Sequence, residues 1–353
     1  MSISKNAPSP DRLTRVAVLL PTLNAEPDLV RLLPALEEQT LKAVTEFVAV
    51  DSSSEDETVA LLKEAGFRVE TIDRSEFGHG RTRNRLAEIS SAEFLVFLSQ
   101  DATPTSKVFL EALIKPFDDP TIGGVFARVL PNPDDDPLTA RTVLSAPEAS
   151  DQPMTRRWSN PEAYASMSGV ERADLLRFNN VASCVRREVL GAIPFPEVPF
   201  GEDFAWAARA MAAGWGIHFE PTAEVQHAHR YGPLAALRRY RTDAVFHREF
   251  HGTVLRPNLF SVLKGSLYEI KEDVKHVGAL VRRRSLGVGG LLRAALISPV
   301  LRVAQTYGQY LGSVGRGGAA VDVAAWDAAR ARGEVSVPFS PDSPARLSSA
   351  SPS

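Results

Sequence analysis

Short apolar runs alternate with amphipathic stretches over the first 130 residues. Val16–Leu20 (VAVLL), Phe47–Val50, Arg68–Ile72, Phe94–Leu98 and Gly124–Leu130 predict strands, each closed by turn-forming or polar residues. Between them the spacing turns helical. Leu29, Leu32, Leu33 and Leu36 share one face over Asp28–Gln39. Asp56 caps a helix that stops at Gly66, Thr82–Ser90 is helical, and Ser106 opens a helix towards Phe117. Strands alternating with helices predict an α/β domain with a largely parallel sheet and ligands at the carboxyl ends of its strands.

Further on the pattern loosens. Residues 131–160 read as a long loop, which inside a domain is functional or mobile. Phe178–Leu190 reads as a helix or a strand–helix junction. Glu202–Ala213 is a helix ended by Gly214, and Ile217–Glu220 and Ala223–Gln226 are short strands. From about Ala235 the chain is strongly helical, and beyond about Gly333 it is rich in Pro and Ser. The expected division is a flexible N-terminus (1–13), a catalytic domain (14–250), a basic helical appendage (251–332) and a disordered tail (333–353).

Composition adds two constraints. With 353 residues, 44% hydrophobic and 24% charged, the chain is of ordinary soluble character. A single cysteine, Cys184, excludes an intrachain disulfide framework or a cysteine-cluster zinc site, and fits a reducing compartment. The net charge of −3 hides an asymmetry. Residues 254–312 hold nine Lys/Arg against three Asp/Glu, so the body before them is acidic. Basic helices of mixed apolar and charged residues, without a run of 18 uncharged apolar positions, point to peripheral contact with an anionic membrane. The alternative is that they pack on the catalytic domain or form a dimer. Residues 1–12 lack the apolar core of a signal peptide, so the expected location is the cytoplasm, at the inner face of the cell membrane.

The residues just past each strand narrow the chemistry. The first strand runs into PTLNAEP, and the chain contains no G-x-G-x-x-G, no G-x-x-x-x-G-K-[ST] and no G-x-S-x-G. That counts against a dinucleotide oxidoreductase, a P-loop enzyme and an α/β-hydrolase. Acids stand at strand ends instead. Asp51 closes the second strand and Asp101 closes Phe94–Leu98. Either can receive a nucleotide hydroxyl or a divalent ion, and either can be a turn residue. In HGRTRN, Arg81 and Arg83 offer guanidinium forks to a pyrophosphate at a helix start, with Asn84 beside them; a solvated basic turn is the plainer reading. His79 reads as a turn residue.

Six segments in this order resemble the family 2 glycosyltransferases of the GT-A fold: VAVLLPTLNAEP, FVAVDSSSEDET, FGHGRTRNRLA, FLVFLSQDATP, FNNVASCVRREVL and FGEDFAWAARAMAAGWGIHFEPTAEVQHAHRY. The resemblance is greatest to the rhamnosyltransferase-like subgroup and covers roughly residues 14–250. It implies an α/β, Rossmann-like GT-A domain with a mostly parallel sheet and a C-terminal helical appendage. It implies an inverting transfer from a nucleotide sugar, dTDP-rhamnose above all, to a glycan or lipid-linked acceptor of the cell envelope or an exopolysaccharide. No nucleic-acid partner is expected. Donor contacts fall on Pro21, Leu23, Asn24, Asp51, Arg81, Arg83, Asn84, Gln100 and Asp101. Ser99 replaces the first acid of the family's Asp-x-Asp, so Asp101 is left to hold Mn²⁺ or Mg²⁺ with His227; His229 is a weaker candidate. Asp203 is the implied general base. Glu202 either assists it or caps the helix. Asn180 and Ser183 are expected on the acceptor side, and Trp206 and Trp215 in the core rather than as sugar platforms. Rival readings are another donor such as a UDP-hexose, a sugar-1-phosphate nucleotidyltransferase, or a non-catalytic sugar-binding relative.

Overall fold

The computed structural model describes residues 16–315 apart from 159, 199 and 284–285. The expected flexible N-terminus and the tail after residue 333 lie outside the described residues. In chain order come β1 (Val16–Thr22), α1 (Glu26–Glu37), β2 (Thr45–Asp51), α2 (Thr58–Glu64), β3 (Arg68–Thr71), α3 (His79–Ile89), β4 (Phe94–Leu98), β5 (Thr103–Pro104), α4 (Phe109–Ile114) and β6 (Ile122–Leu130). Then come α5 (Pro137–Leu144), β7 (Met154–Arg156), α6 (Pro161–Ser166), α7 (Gly169–Leu175), β8 (Ala182–Arg186), α8 (Arg187–Ala192), α9 (Glu202–Ala212) and β9 (Gly216–Gln226). Three long helices end the described chain: α10 (Pro233–His251), α11 (Leu259–Arg282) and α12 (Val288–Ser313).

The strands form one sheet in the order β3-β2-β1-β4-β8-β6-β9-β5, with β7 also on β9. Both faces are covered by apolar side chains. Ala17 and Leu19 join one core, with Phe97, Phe126 and Trp206, while Val16, Val18 and Leu20 join the other, with Val96 and Phe109. The alternation is the period of two of a strand buried on both sides. Register then sets the site. Thr22 pairs with Asp51 and Leu19 with Phe97, so the chain after β1, β2 and β4 leaves the sheet along one edge.

Three expectations change. The sheet is parallel only from β3 to β4 and between β6 and β9; β8 runs antiparallel to both β4 and β6, and β5 and β7 antiparallel to β9. Apolar runs buried on both faces carry no record of strand direction. Residues 216–226 are one strand, not two. Ala127 pairs with Glu220 and Arg128 with Glu224, so Pro221–Ala223 bulge out where Pro221 lacks an N–H for the ladder. The supposed loop 131–160 holds α5 and β7. Asp136 accepts from the N–H groups of Leu138 and Thr139, and Pro137 occupies the first turn; this Asp-Pro start was the available signal.

Phe246 and Phe250 of α10 join the body's core, while α10 lies along α12 and α11 pairs with α12 in a helical unit. A buried polar cluster fastens it to α5. Arg302 donates to both oxygens of Asp273 (2.7 and 2.8 Å) and to the Leu138 carbonyl, and Arg141 donates to Asp273 and Glu269. α12 reaches the length and hydropathy of a membrane-crossing helix, interrupted by Arg293 and Arg302.

Candidate active site

The sheet edge holds the expected donor residues, but several are committed to one another. Asp51 is fully buried; its carboxylate accepts from Thr22 Oγ1 (2.9 Å), Ser54 Oγ (2.6 Å) and Ser54 N (2.8 Å). Asn24 and Ser53 both have positive φ, and Asn24 is locked by bonds from its N–H to Ser54 Oγ and from the Glu55 N–H to its Oδ1. Gln100 fastens the ends of β1 and β4. Its Oε1 accepts from the Leu23 N–H (2.9 Å), while its Nε2 donates to the Leu23 carbonyl and to Asp28. Pro21 is half-buried, and Leu23 and Asn24 face solvent.

The HGRTRN segment is a docking surface for the chain that leads into α9. The side chains expected to cradle a pyrophosphate are engaged with the protein itself. Asn84 exchanges two hydrogen bonds with Phe195, its Nδ2 donating to the carbonyl and its Oδ1 accepting from the N–H. Arg81 pairs with Glu197 at the surface. Gly80 allows the closest approach, because a Cβ there would stand 2.2 Å from the Pro196 carbonyl oxygen. Arg83 is buried and donates to Glu202 Oε1 (2.8 Å) and the His79 and Asn180 carbonyls. Asn180 and Ser183, expected to meet the acceptor, are also buried. Ser183 donates to Asn180 Oδ1, and Asn180 Nδ2 donates to Glu202 Oε1 (3.3 Å). Together they hold Glu202 in place as a positioned carboxylate, not as a loose helix cap.

Asp203, next along, faces a cavity of about 540 Å³. Its Oδ1 accepts from the Phe204 N–H at 2.8 Å. Burial, then the neighbouring Glu202 carboxylate, push the Asp203 carboxyl up to about 7. The same cavity is lined by Glu202, His79 and Asn179 and, across from them, by His227, His229 and α10. Trp206 is fully buried with its indole N–H on the Ile193 carbonyl, and Trp215 packs against the same core, so neither is a sugar platform.

Asp101 lies behind the histidine wall. His227 Nδ1 is 3.1 Å from Asp101 Oδ1 and His229 Nδ1 is 3.7 Å from Oδ2. One ligand atom from each residue lies within 4.8 Å of the others, a spacing that suits a shared metal ion. Burial raises the Asp101 carboxyl, but the imidazoles outweigh it and the net is below the usual carboxylate range. The two histidines leave β9 together, because the His227 N–H extends the β6–β9 pairing to the Leu130 carbonyl and the chain then turns outward. His229 joins His227 at Asp101, at the longer distance and more exposed.

Sequence reasoning missed the α10 wall. Arg239, Asp243 and His247 line the cavity, with Tyr231, Tyr240 and Phe246. The Arg239 guanidinium stacks over Phe200 (4.8 Å to the ring) and reaches Asp243 (3.3 Å). Their spacing of four residues along one helix face was the available signal.

Residues 17–177 match the family described as Glycosyl transferase family 2. The chain is 29% identical over 239 residues to the O-antigen chain rhamnosyltransferase RfbN of Salmonella typhimurium, covering 66% of this chain and 72% of that protein. It is 31% identical over 218 residues to WbaN of Salmonella anatum, also an O-antigen chain rhamnosyltransferase, covering 60% and 65%. In three dimensions it is similar to the mannosyltransferase PcManGT of Pyrobaculum calidifontis, solved with GDP-mannose and Mn²⁺, with a TM-score of 0.52 at 21% identity over 87% of this chain and 89% of that one. Strand-end acids, a carboxylate pair opening α9 and these likenesses agree: the chain carries a family 2 glycosyltransferase domain on a GT-A-like α/β fold, and is similar to O-antigen chain rhamnosyltransferases.

Proposed function

We propose that the chain is an inverting, metal-dependent transferase that moves L-rhamnose from dTDP-rhamnose to a cell-envelope or exopolysaccharide acceptor, free or lipid-linked, in the cytoplasm. The observation that carries it is one cavity faced by both Asp203 and the histidines of the Asp101–His227–His229 cluster. The relatives named as O-antigen rhamnosyltransferases support the choice of sugar.

Asp203 takes the proton of the acceptor hydroxyl. The oxygen bonds to the anomeric carbon as the carbon–oxygen bond to the diphosphate breaks, and the nucleoside diphosphate leaves with the electron pair. A single displacement inverts the anomeric centre. A carboxyl poised near 7 suits this work, since it is ionised enough to accept and basic enough to do so usefully. Glu202, held by Arg83 and Asn180, keeps that carboxyl raised. Leu23, Asn24, Pro21 and the loop braced by Asp51 form the nucleotide side.

The cluster fits a divalent ion. His227 Nδ1 is buried without a hydrogen-bond partner although a carboxylate oxygen is 3.1 Å away. Two imidazoles with one carboxylate favour Mn²⁺ over Mg²⁺, in keeping with the Mn²⁺ of the mannosyltransferase complex. Bound there, the ion would supply positive charge to the departing diphosphate. Arg239, paired with Asp243 on α10, and Arg83, paired with Glu202, are the arginines that line the cavity and add positive charge for the same purpose. The test is a panel of nucleotide sugars assayed for protection against thermal unfolding, with and without Mn²⁺. dTDP-rhamnose with Mn²⁺ should protect most. Greater protection by a UDP-hexose would reassign the donor, and none by any nucleotide would point to a non-catalytic relative.

A further inference from the structure

Among the described residues, fifteen of the twenty-four exposed large apolar side chains lie on α11 and α12. On α12, Val288, Leu292, Leu296, Val300, Val303 and Tyr307 recur every three or four residues and are exposed, Leu296 by 76%. They form a continuous stripe. Only 28% of the most apolar window of this helix is buried. On α11, helical spacing sets Leu263, Leu267 and Val274 in one exposed sector and Lys264, Lys271 and Lys275 in the next. That is an apolar strip edged by long cations able to reach past it.

The acids of this region do not offset those cations. Asp273 is consumed by Arg141 and Arg302, Glu269 by Arg141, and Glu272 by Lys275. Lys264, Lys271, Arg282, Arg283 and Arg293 remain exposed. Two-fold pairing with a second copy would set this cationic face against itself. A negatively charged apolar surface satisfies both of its properties.

We propose that the outward face of the α11–α12 hairpin docks on an anionic lipid bilayer, with the first half of α12 lying in the headgroup–acyl interface. A surface pose fits better than a span, because the second half of α12 is held along α10 and its Arg302 is buried on Asp273. The pose has a consequence for the reaction. A mostly apolar groove of about 520 Å³, lined by Arg230, Arg293, Leu296, Ile297 and Val300, runs between α12 and the chain before α10. Tyr231, Leu138 and Leu301 line both this groove and the catalytic cavity. The bilayer therefore adjoins the cavity from which the acceptor is glycosylated. The docking does not depend on which sugar is transferred.

The experiment is sedimentation of the full chain with vesicles of phosphatidylcholine alone and of an equal mixture with phosphatidylglycerol. The full chain should bind the mixed vesicles, far less the neutral ones, and release as salt rises. Lys264→Gln, Lys271→Gln and Arg293→Gln should each weaken binding roughly fivefold. Leu296→Asp, at an exposed site that folding does not need, should abolish it while dTDP-rhamnose protection stays unchanged. Binding to neither vesicle, or equally to both, overturns the proposal. So does a solution dimer that Leu296→Asp converts to monomer.

Discussion

His227 Nδ1 is a buried nitrogen beside a carboxylate oxygen with which it shares no hydrogen bond, and His229 stands on the other oxygen. On the proposed reading such a trio would bind a free ion weakly, since most coordination sites would stay with water, and the donor diphosphate would supply the missing charged ligands. Mn²⁺ and dTDP should each raise the affinity for the other in titration calorimetry. Asp101→Ala should weaken that coupling most, with smaller losses in His227→Ala and His229→Ala; independent binding in the wild type would remove the metal role. Asp203 carries a stability cost that can be read separately. Its folded carboxyl is raised to about 7, so its contribution to stability is full below the ordinary carboxylate range and is lost as pH rises through about 7. Asp203→Asn should therefore melt several degrees above the wild type at mildly alkaline pH, and the gap should close in acid. A lower melting temperature at both would contradict the raised carboxyl. The places of these acids at a strand end and a helix start were legible in the pattern, while the roles given to them and to His227 came from the resemblance. The protein contacts of Arg83, Asn84, Gln100, Asn180 and Ser183 were not legible, because a polar residue that grips the protein reads the same as one that grips a ligand.

α3 shows the same ambiguity in one element. A Gly-Arg-Thr-Arg-Asn start to a helix suits a phosphate, and it equally suits a loop that must pass very close. The structure has the second, with Gly80 against Pro196, Asn84 on Phe195 and Arg83 on Glu202. Gly80→Ala should cost about 1–3 kcal/mol through overpacking and depress turnover by shifting the start of α9. Chemical denaturation alongside an activity assay checks both, and a variant of native stability and turnover would deny the close packing any role. The strands were read nearly to the residue where apolar runs end on turn residues, as at Phe94–Leu98. α5 was lost because a single Asp-Pro start stood in a polar segment that otherwise lacked periodicity.

A buried charge cluster ties α11 and α12 to α5, beside the apolar packing of Phe246 and Phe250 of α10 on the body's core. Removing Asp273 leaves the buried Arg302 without a carboxylate and Arg141 with Glu269 alone, so Asp273→Ala should cost about 3–5 kcal/mol, measured by urea unfolding. Burial raises the Asp273 carboxyl, but the bonds from Arg302 and Ser298 outweigh it and hold it below the usual range. The stabilisation it gives is thus present above that range and lost as pH falls through it; a stability unchanged in the variant would show that the cluster joins nothing. The basic bias of the C-terminal helices was legible from composition. Their arrangement was not, because helical periodicity names a buried face but not its partner, and α10 became a cavity wall only by folding back across the sheet edge. The central claim is that Asp203 accepts the acceptor proton in that cavity, and the pH dependence of kcat/KM for sugar transfer from dTDP-rhamnose tests it most directly. The rate should climb with pH, level off above an inflection near the raised carboxyl at about 7, and fall roughly a hundredfold or more in Asp203→Asn. A flat profile, or near-native turnover in Asp203→Asn with donor still bound, would contradict it.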